Sequence, residues 1–278
     1  MTARRPTVSR RGPRPLTPVR ARRISTEEAA HRALVRDWAK RLKTFEKLAA
    51  SDPDHLSDDD VHDLRVTTRR LRASLWVLRH CMESRAAERS HRELRAIGKV
   101  LGERRMWDIA KRDAESYGAP TGAIEKKQKR AHARLRRALR RPRIRKLFKD
   151  LRQLEKTIPN LRLERLVPWL QGYEWELAYR MHSRPAVPTA RHELRILGKK
   201  VRYVLECLGR RAARLEAMQD HLGREHDLVV LQGMIGARRG LARDRRAAVL
   251  RANRVMTPAL RSGMRELRAL ESDLARWR

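Results

Sequence analysis

His62-Asp63-Leu64-Arg65-Val66 opens the run HDLRVTTRRLRASLWVL, and His192-Glu193-Leu194-Arg195-Ile196 opens HELRILGKKVRYVLECL. The two runs align residue for residue. His62 matches His192, Arg65 matches Arg195, Arg69 and Arg70 match Lys199 and Lys200, and Arg72 matches Arg202. At about 100° per residue, His62, Arg65, Arg69 and Arg72 fall within a helical sector of roughly 80°. Leu64, Leu71, Leu75 and Leu78 take another face, joined by Val61 and Thr68. The second run repeats this, with His192, Arg195, Lys199 and Arg202 beside Leu194, Leu197, Val201 and Leu208. A core requires only that apolar positions recur. Here the cations recur as well, which points to a polyanion contacted twice. Seven helical residues span about 10 Å, so each row can follow a chain of anions rather than one phosphate.

The duplication extends along the chain. LGERRMWDIA, from Leu101 to Ala110, matches LGREHDLVVL, from Leu222 to Leu231. RRPRIRKLFKDLRQLE, from Arg140 to Glu155, resembles VMTPALRSGMRELRALE near the C-terminus, with Pro142 on Pro258, Arg145 on Arg261, Leu151 on Leu267 and Glu155 on Glu271. The matches keep their order, which defines two related halves at about 26–156 and 160–278. Long segments carry the helical period and none alternates like a strand, so the chain reads as all-α. Helix pairs joined by short turns fit antiparallel bundles.

Local signals place several ends. Ser25-Thr26-Glu27-Glu28 is a capping box for a helix reaching about Ala50. Ser57 with Asp58, Asp59 and Asp60 begins the first motif helix, where carboxylates suit the positive end of the dipole. Gly98 and Gly102 mark a weak interruption near the third helix end. Gly118-Ala119-Pro120 is a turn, Thr121 to Arg140 a very basic helix, and Pro142 the start of another. Ser183 to Thr189 separates helices before the second motif.

The charge is extreme: 68 Lys+Arg against 33 Asp+Glu, a formal net of +35 in 278 residues. Such a charge repels itself and favours a polyanionic partner. Arginine dominates, and its planar fork holds phosphate oxygens in pairs. Residues 1–24 carry Pro6, Pro13, Pro15 and Pro18, eight arginines and no acids. They read as a disordered basic tail able to add nonspecific affinity for nucleic acid. No segment is apolar enough for a membrane span or signal peptide.

These motifs resemble the CHAD family, the helical domain named for its histidines. Its signatures run H-x-L-R-V-x-x-R-R-L-R, then L-G-x-x-R-D-x-D, then H-x-L-R-I-x-x-K-K-x-R-Y, and all three have counterparts here in that order over residues 25–278. One departure is visible: Arg105 and Asp108 fit the second signature, but Met106 stands where the family has its first Asp. The resemblance implies two pseudo-symmetric helical bundles around a basic groove or pore. It also implies binding of inorganic polyphosphate, and a cytoplasmic location at polyphosphate granules.

The expected ligands are Arg65, Arg69, Arg72, Arg195, Lys199 and Arg202. His62 and His192 can donate to phosphate, Arg70 and Lys200 sit at the sector's edge, and Tyr203 offers a hydroxyl. Arg105, Arg137, Arg145 and Lys146 are candidates to extend the surface. No cofactor is expected. A metal site would need convergent His, Cys or carboxylate groups, for which Asp108 and Asp227 are the available acids, but the motifs lack HxxxH or CxxC spacing and their arginines repel a cation. Asp108 and Asp227 read instead as helix-turn or salt-bridge partners. Nucleic-acid binding is the runner-up, weakened by an aromatic content of only 4%. No Walker loop, G-x-S-x-G or H-E-x-x-H occurs, so a binding protein is expected rather than an enzyme. Cys81 and Cys207 share no redox spacing and read as reduced packing residues. Trp76, Trp107, Trp169 and Trp175 are assigned to the core.

Overall fold

The computed structural model describes residues 26–140, 142–183, 187–238 and 240–276. Among these, α-helices and short 3-10 turns are the regular elements and no strand occurs. The basic tail expected at 1–24, and Ser25 of the first capping box, lie outside the described residues. The helices are α1 (Thr26–Ala50), α2 (Asp58–Cys81), α3 (Arg85–Ser116), α4 (Gly122–Leu139), α5 (Pro142–Glu155), α6 (Val167–Ser183), α7 (Pro188–Cys207), α8 (Ala213–Ile235) and α9 (Leu241–Ala275).

The two motif helices begin on different devices. At α2, the Asp60 amide donates to the Ser57 hydroxyl at 3.1 Å, and the Ser57 amide donates to the Asp60 carboxylate at 3.0 Å. This reciprocal box satisfies two of the donors that every helix start leaves unpaired. At α7, Pro188 occupies the first turn, where its missing N–H costs nothing. Gly118 ends α3 in the left-handed region, at φ 61°, which favours glycine.

Gly98 and Gly102 do not interrupt α3, contrary to expectation. The helix runs unbroken through both, because a helical glycine costs only about 1 kcal/mol and the space is used. A side chain at Gly98 would meet Thr68 at 3.4 Å, and one at Gly102 would meet Arg65 at 3.7 Å. The glycines let α3 approach the motif face of α2. The repeat also diverges at its ends. Pro142 starts α5 after a break, whereas Pro258 lies inside the 35-residue α9.

A main apolar cluster joins both sequence halves, from Leu34, Trp38 and Phe45 of α1 through Leu64, Leu71 and Leu75 of α2 to Leu194 and Val201 of α7 and Leu260 and Leu267 of α9. A smaller cluster lies where the far end of α3 and the start of α4 meet the far end of α8 and the start of α9. It contains Trp107, Ala110, Ile124, Leu228, Leu231 and Leu241. The helix contacts explain this arrangement. α2 packs on α3 and on α7, α7 packs on α8, and α3 packs on α8, so these four helices touch in a closed circuit. Cys81 and Cys207 are buried and unbridged. Trp107 belongs to the smaller core, but Trp169 and Trp175 do not pack inside: they are 52% and 75% exposed on α6. No described helix is long and apolar enough to cross a membrane.

Candidate anion-binding site

The same helical period that buries Leu64, Leu71 and Leu75 turns Arg65 and Arg69 of α2 toward Arg195 and Lys199 of α7. Burial and mutual repulsion act together on these groups. Arg65 is pulled down to about 10 by burial, then by Arg69 and Arg195. Arg69 and Arg195 are lowered as well, burial being the largest cause for each. Lys199 falls to about 6 through burial, then through Arg195, Arg69 and Arg65. No described carboxylate lies within ion-pair distance of these four side chains. Asp227 acts on Arg65, Arg195 and Lys199 only through its field. The Nε atoms of Arg69, Arg72 and Arg195 are buried with no acceptor, as are those of Arg70, Arg104 and Arg202, which have carboxylate partners on their other nitrogens. Buried donors in folded proteins are nearly always matched, and buried charges nearly always paired. The cluster therefore has the electrostatics of a receptor for an anion.

Glycine shapes this cluster in both halves. Gly102 of α3 faces the Arg65 guanidinium, and Gly223 of α8 faces that of Arg195. The glycines are aligned partners in the repeat, as are the arginines. The histidines repeat the relationship more loosely. His62 keeps much of its surface in solvent, and the partial desolvation of its ring, then Arg105, lower its pKa. His192 stacks on His226 with ring centroids 4.4 Å apart, and burial followed by Arg195 lowers it. His226 was not expected in the site. Its signal was available, because it aligns with Arg105 within LGREHDLVVL.

Other expected ligands are placed differently. Arg202 is buried and its charge is paired: it pairs with Glu216 and Glu206 and donates to the Tyr203 hydroxyl at 3.0 Å. Arg70 pairs with Glu206 at 2.8 Å. Tyr203 is buried between the motif helices, with the guanidinium carbons of Arg202, Arg69 and Arg70 at 4.7, 5.6 and 5.7 Å from its ring centre. Arg72 and the exposed Lys200 line a cleft beside the cluster. Arg137 lines a separate groove with Arg134, Ile97 and Leu147, between α3, α4 and α5. Arg145 and Lys146 are exposed on α5, which packs on α1 and α3. The structure thus brings Arg65, Arg69, Arg195 and Lys199 together, and places Arg137, Arg145 and Lys146 elsewhere.

Asp108 is a salt-bridge partner, as expected. It pairs with Arg104 and accepts from Gln128 Nε2 at 2.8 Å. Among the described residues no group of three His, Cys, Asp or Glu side chains is placed to hold a metal.

The protein is thus an all-helical body holding a desolvated cation cluster between its two motif helices. The family model of the CHAD domain matches residues 39–236, and the chain belongs to the CHAD family. The fold is similar to the crystal structure of the CHAD domain from the plant Ricinus communis. That match has a TM-score of 0.61 and 22% identity, and covers 87% of this chain and 93% of the plant chain. It is also similar to PptA from Streptomyces chartreusis, with a TM-score of 0.58, 14% identity, and coverage of 88% and 98%. No curated protein matches. Within the family signature, Met106 replaces the first Asp in this chain, while the aligned position of the second half keeps Asp227.

Proposed function

We propose that this protein binds inorganic polyphosphate through a basic channel lined by α2 and α7. The observation that carries the reading is the packing of Arg65, Arg69, Arg195 and Lys199 against one another with no carboxylate partner among the described residues. A linear polyphosphate supplies closely spaced charges that enter between the rows, and its oxygens accept from the unmatched guanidinium donors. Membership of the CHAD family supports the same ligand. We read the two sequence halves as pseudo-symmetric walls of the channel, a reading supported by the recurring contacts of Gly102 with Arg65 and Gly223 with Arg195. The protein acts as a binder rather than an enzyme, in the cytoplasm at polyphosphate granules.

The test is competition at near-physiological salt between long-chain polyphosphate, duplex DNA and RNA at matched phosphate concentration. Wild type is compared with Arg65→Ala/Arg195→Ala. Polyphosphate wins in the wild type and loses its advantage in the double variant. For four phosphate contacts, log K against log salt has a slope of roughly −3, taking the single-strand coefficient. Equal binding of every polyanion, unchanged in the variant, assigns the affinity to gross charge and removes the channel.

A further inference from the structure

We propose that the cleft between α2, α3, α6 and α7 seats the base of a nucleoside 5′-polyphosphate whose phosphate tail runs past Arg69 into the cation cluster. The inference rests on the polyphosphate reading of that cluster and adds a specific end group. The cleft has a volume of about 440 Å³, within the range of small-molecule sites.

The stripe on α2 does not stop at its cations. Trp76 lies four residues beyond Arg72 and seven beyond Arg69, so it falls on the same face, about 10 Å along the axis from Arg69. The duplication does not account for it, because the aligned residue of α7 is Glu206, which pairs with Arg70. Trp76 instead packs on the main core in an aromatic wall with His80, ring centroids 4.2 Å apart and tilted by 37°, and Tyr173 of α6, 5.3 Å apart and tilted by 36°, and Trp76 and Tyr173 border the cleft. Trp169 supports Trp76 edge-on at 6.3 Å. Ile196 of α7 adds an apolar surface to the cleft.

The polar lining is cationic. Arg69, Arg72, Arg95 and Lys200 border the cleft, and the buried Nε donors of Arg69 and Arg72 lack acceptors. His91, which also lines it, is held at about 4 by burial and then by Arg72, Arg79 and Arg95, so its imidazole is neutral, with Nδ1 3.4 Å from Arg79 Nη1. An aromatic wall offers nothing to a bare phosphate chain, whereas every nucleobase has a face that stacks on it. Arg69 belongs to both cleft and cluster, so the cationic path is continuous from the aromatic wall inward.

A nucleic-acid strand fits this arrangement less well, because it alternates bases with phosphates. Next to Arg69 the ring of Tyr203 is already faced by three guanidinium groups. The geometry asks for one base followed by directly linked phosphates.

The experiment measures binding of ATP and of methyl triphosphate, which carries the same phosphates and charge without a base, to the full-length protein. Trp76→Leu and Arg65→Ala/Arg195→Ala are measured in parallel, and photolabelling of the wild type with 8-azido-ATP maps the base without any variant. ATP binds about tenfold tighter than methyl triphosphate. Trp76→Leu removes that preference but leaves long-chain polyphosphate binding intact, and the label falls on peptides containing Trp76 or Tyr173. Equal affinities, or a label elsewhere, overturn the proposal. So does a Trp76→Leu variant weakened for single-stranded RNA but not for ATP. Loss of the preference in Trp76→Leu, with polyphosphate binding unaffected by the double arginine variant, would overturn the channel reading and the tail's path but not the base site.

Discussion

Gly223 lies against the guanidinium of Arg195. A methyl group on this glycine would stand 3.2 Å from Nη2 and 3.5 Å from Nε. Gly102 holds the matching place beside Arg65 with more room, at 3.7 Å from Nε and 4.0 Å from Nη2.

The difference separates two otherwise identical substitutions. Gly223→Ala pushes Arg195 by a few tenths of an ångström, and polyphosphate affinity falls about three- to tenfold, up to about 1.4 kcal/mol. Gly102→Ala creates only ordinary contact, so affinity holds while helix propensity adds up to about 1 kcal/mol of stability. Calorimetric titration and thermal melting of both variants check this.

Lys199 makes binding proton-linked. Held at about 6 in the free protein, its amine is mostly neutral at pH 7, and an anion beside it restores the proton. Polyphosphate binding takes up a proton near neutral pH, and affinity falls as pH rises above about 6. Titrations in buffers of different ionisation enthalpy measure the uptake, and Lys199→Met abolishes it. The sign for stability follows from linkage. The unfolded chain holds this proton up to about 10.5 and the folded chain only to about 6, so this group makes folding less favourable as pH falls between those values. Lys199→Met therefore raises the melting temperature of the ligand-free protein at pH 7, by about 2–4 °C per kcal/mol relieved.

Asp227 places a negative field on Arg65, Arg195 and Lys199 without bonding to any of them. A carboxylate there repels an entering phosphate. Asp227→Asn tightens polyphosphate binding by about threefold at low salt, and the gain shrinks as salt screens it. Weaker binding would instead identify Asp227 as an organiser of the arginines.

Arg191 and Glu225 form a buried pair beside the site. Arg191 donates to Glu225 through Nε at 2.8 Å and Nη2 at 2.6 Å, and through Nη1 to Asn253 at 2.6 Å. Arg191→Met leaves a buried carboxylate alone, which costs about 3–5 kcal/mol and lowers the melting temperature by on the order of 10 °C. Denaturant titration should show the loss without ligand.

What the chain reveals before folding depends on the range of each interaction. Period and caps are local, so the start of α2 at Ser57 and the rows containing Arg65, Arg69, Arg195 and Lys199 are legible. Arg70 and Arg202 carry the same local signal, yet pair with Glu206 and Glu216, because those partners are set by packing and side-chain reach rather than by the stripe. The Arg191–Asn253 contact spans α7 and α9 and leaves no periodic trace. Gly102 misled as a helix breaker because its purpose lies on the neighbouring helix. Trp169 and Trp175 misled because residue type alone does not tell which face of α6 remains open.

The contacts of α2 with α3 and α7, and of α8 with α3 and α7, bear on the proposed ligand. If the proposed channel passes between these four helices, a polymer in it is threaded, and entry and escape depend on chain ends. Residence time then grows with polymer length even after every contact is filled, because a long chain slides before it finds an end. A cyclic phosphate, which has no end to offer, would bind more weakly than a linear one of equal charge.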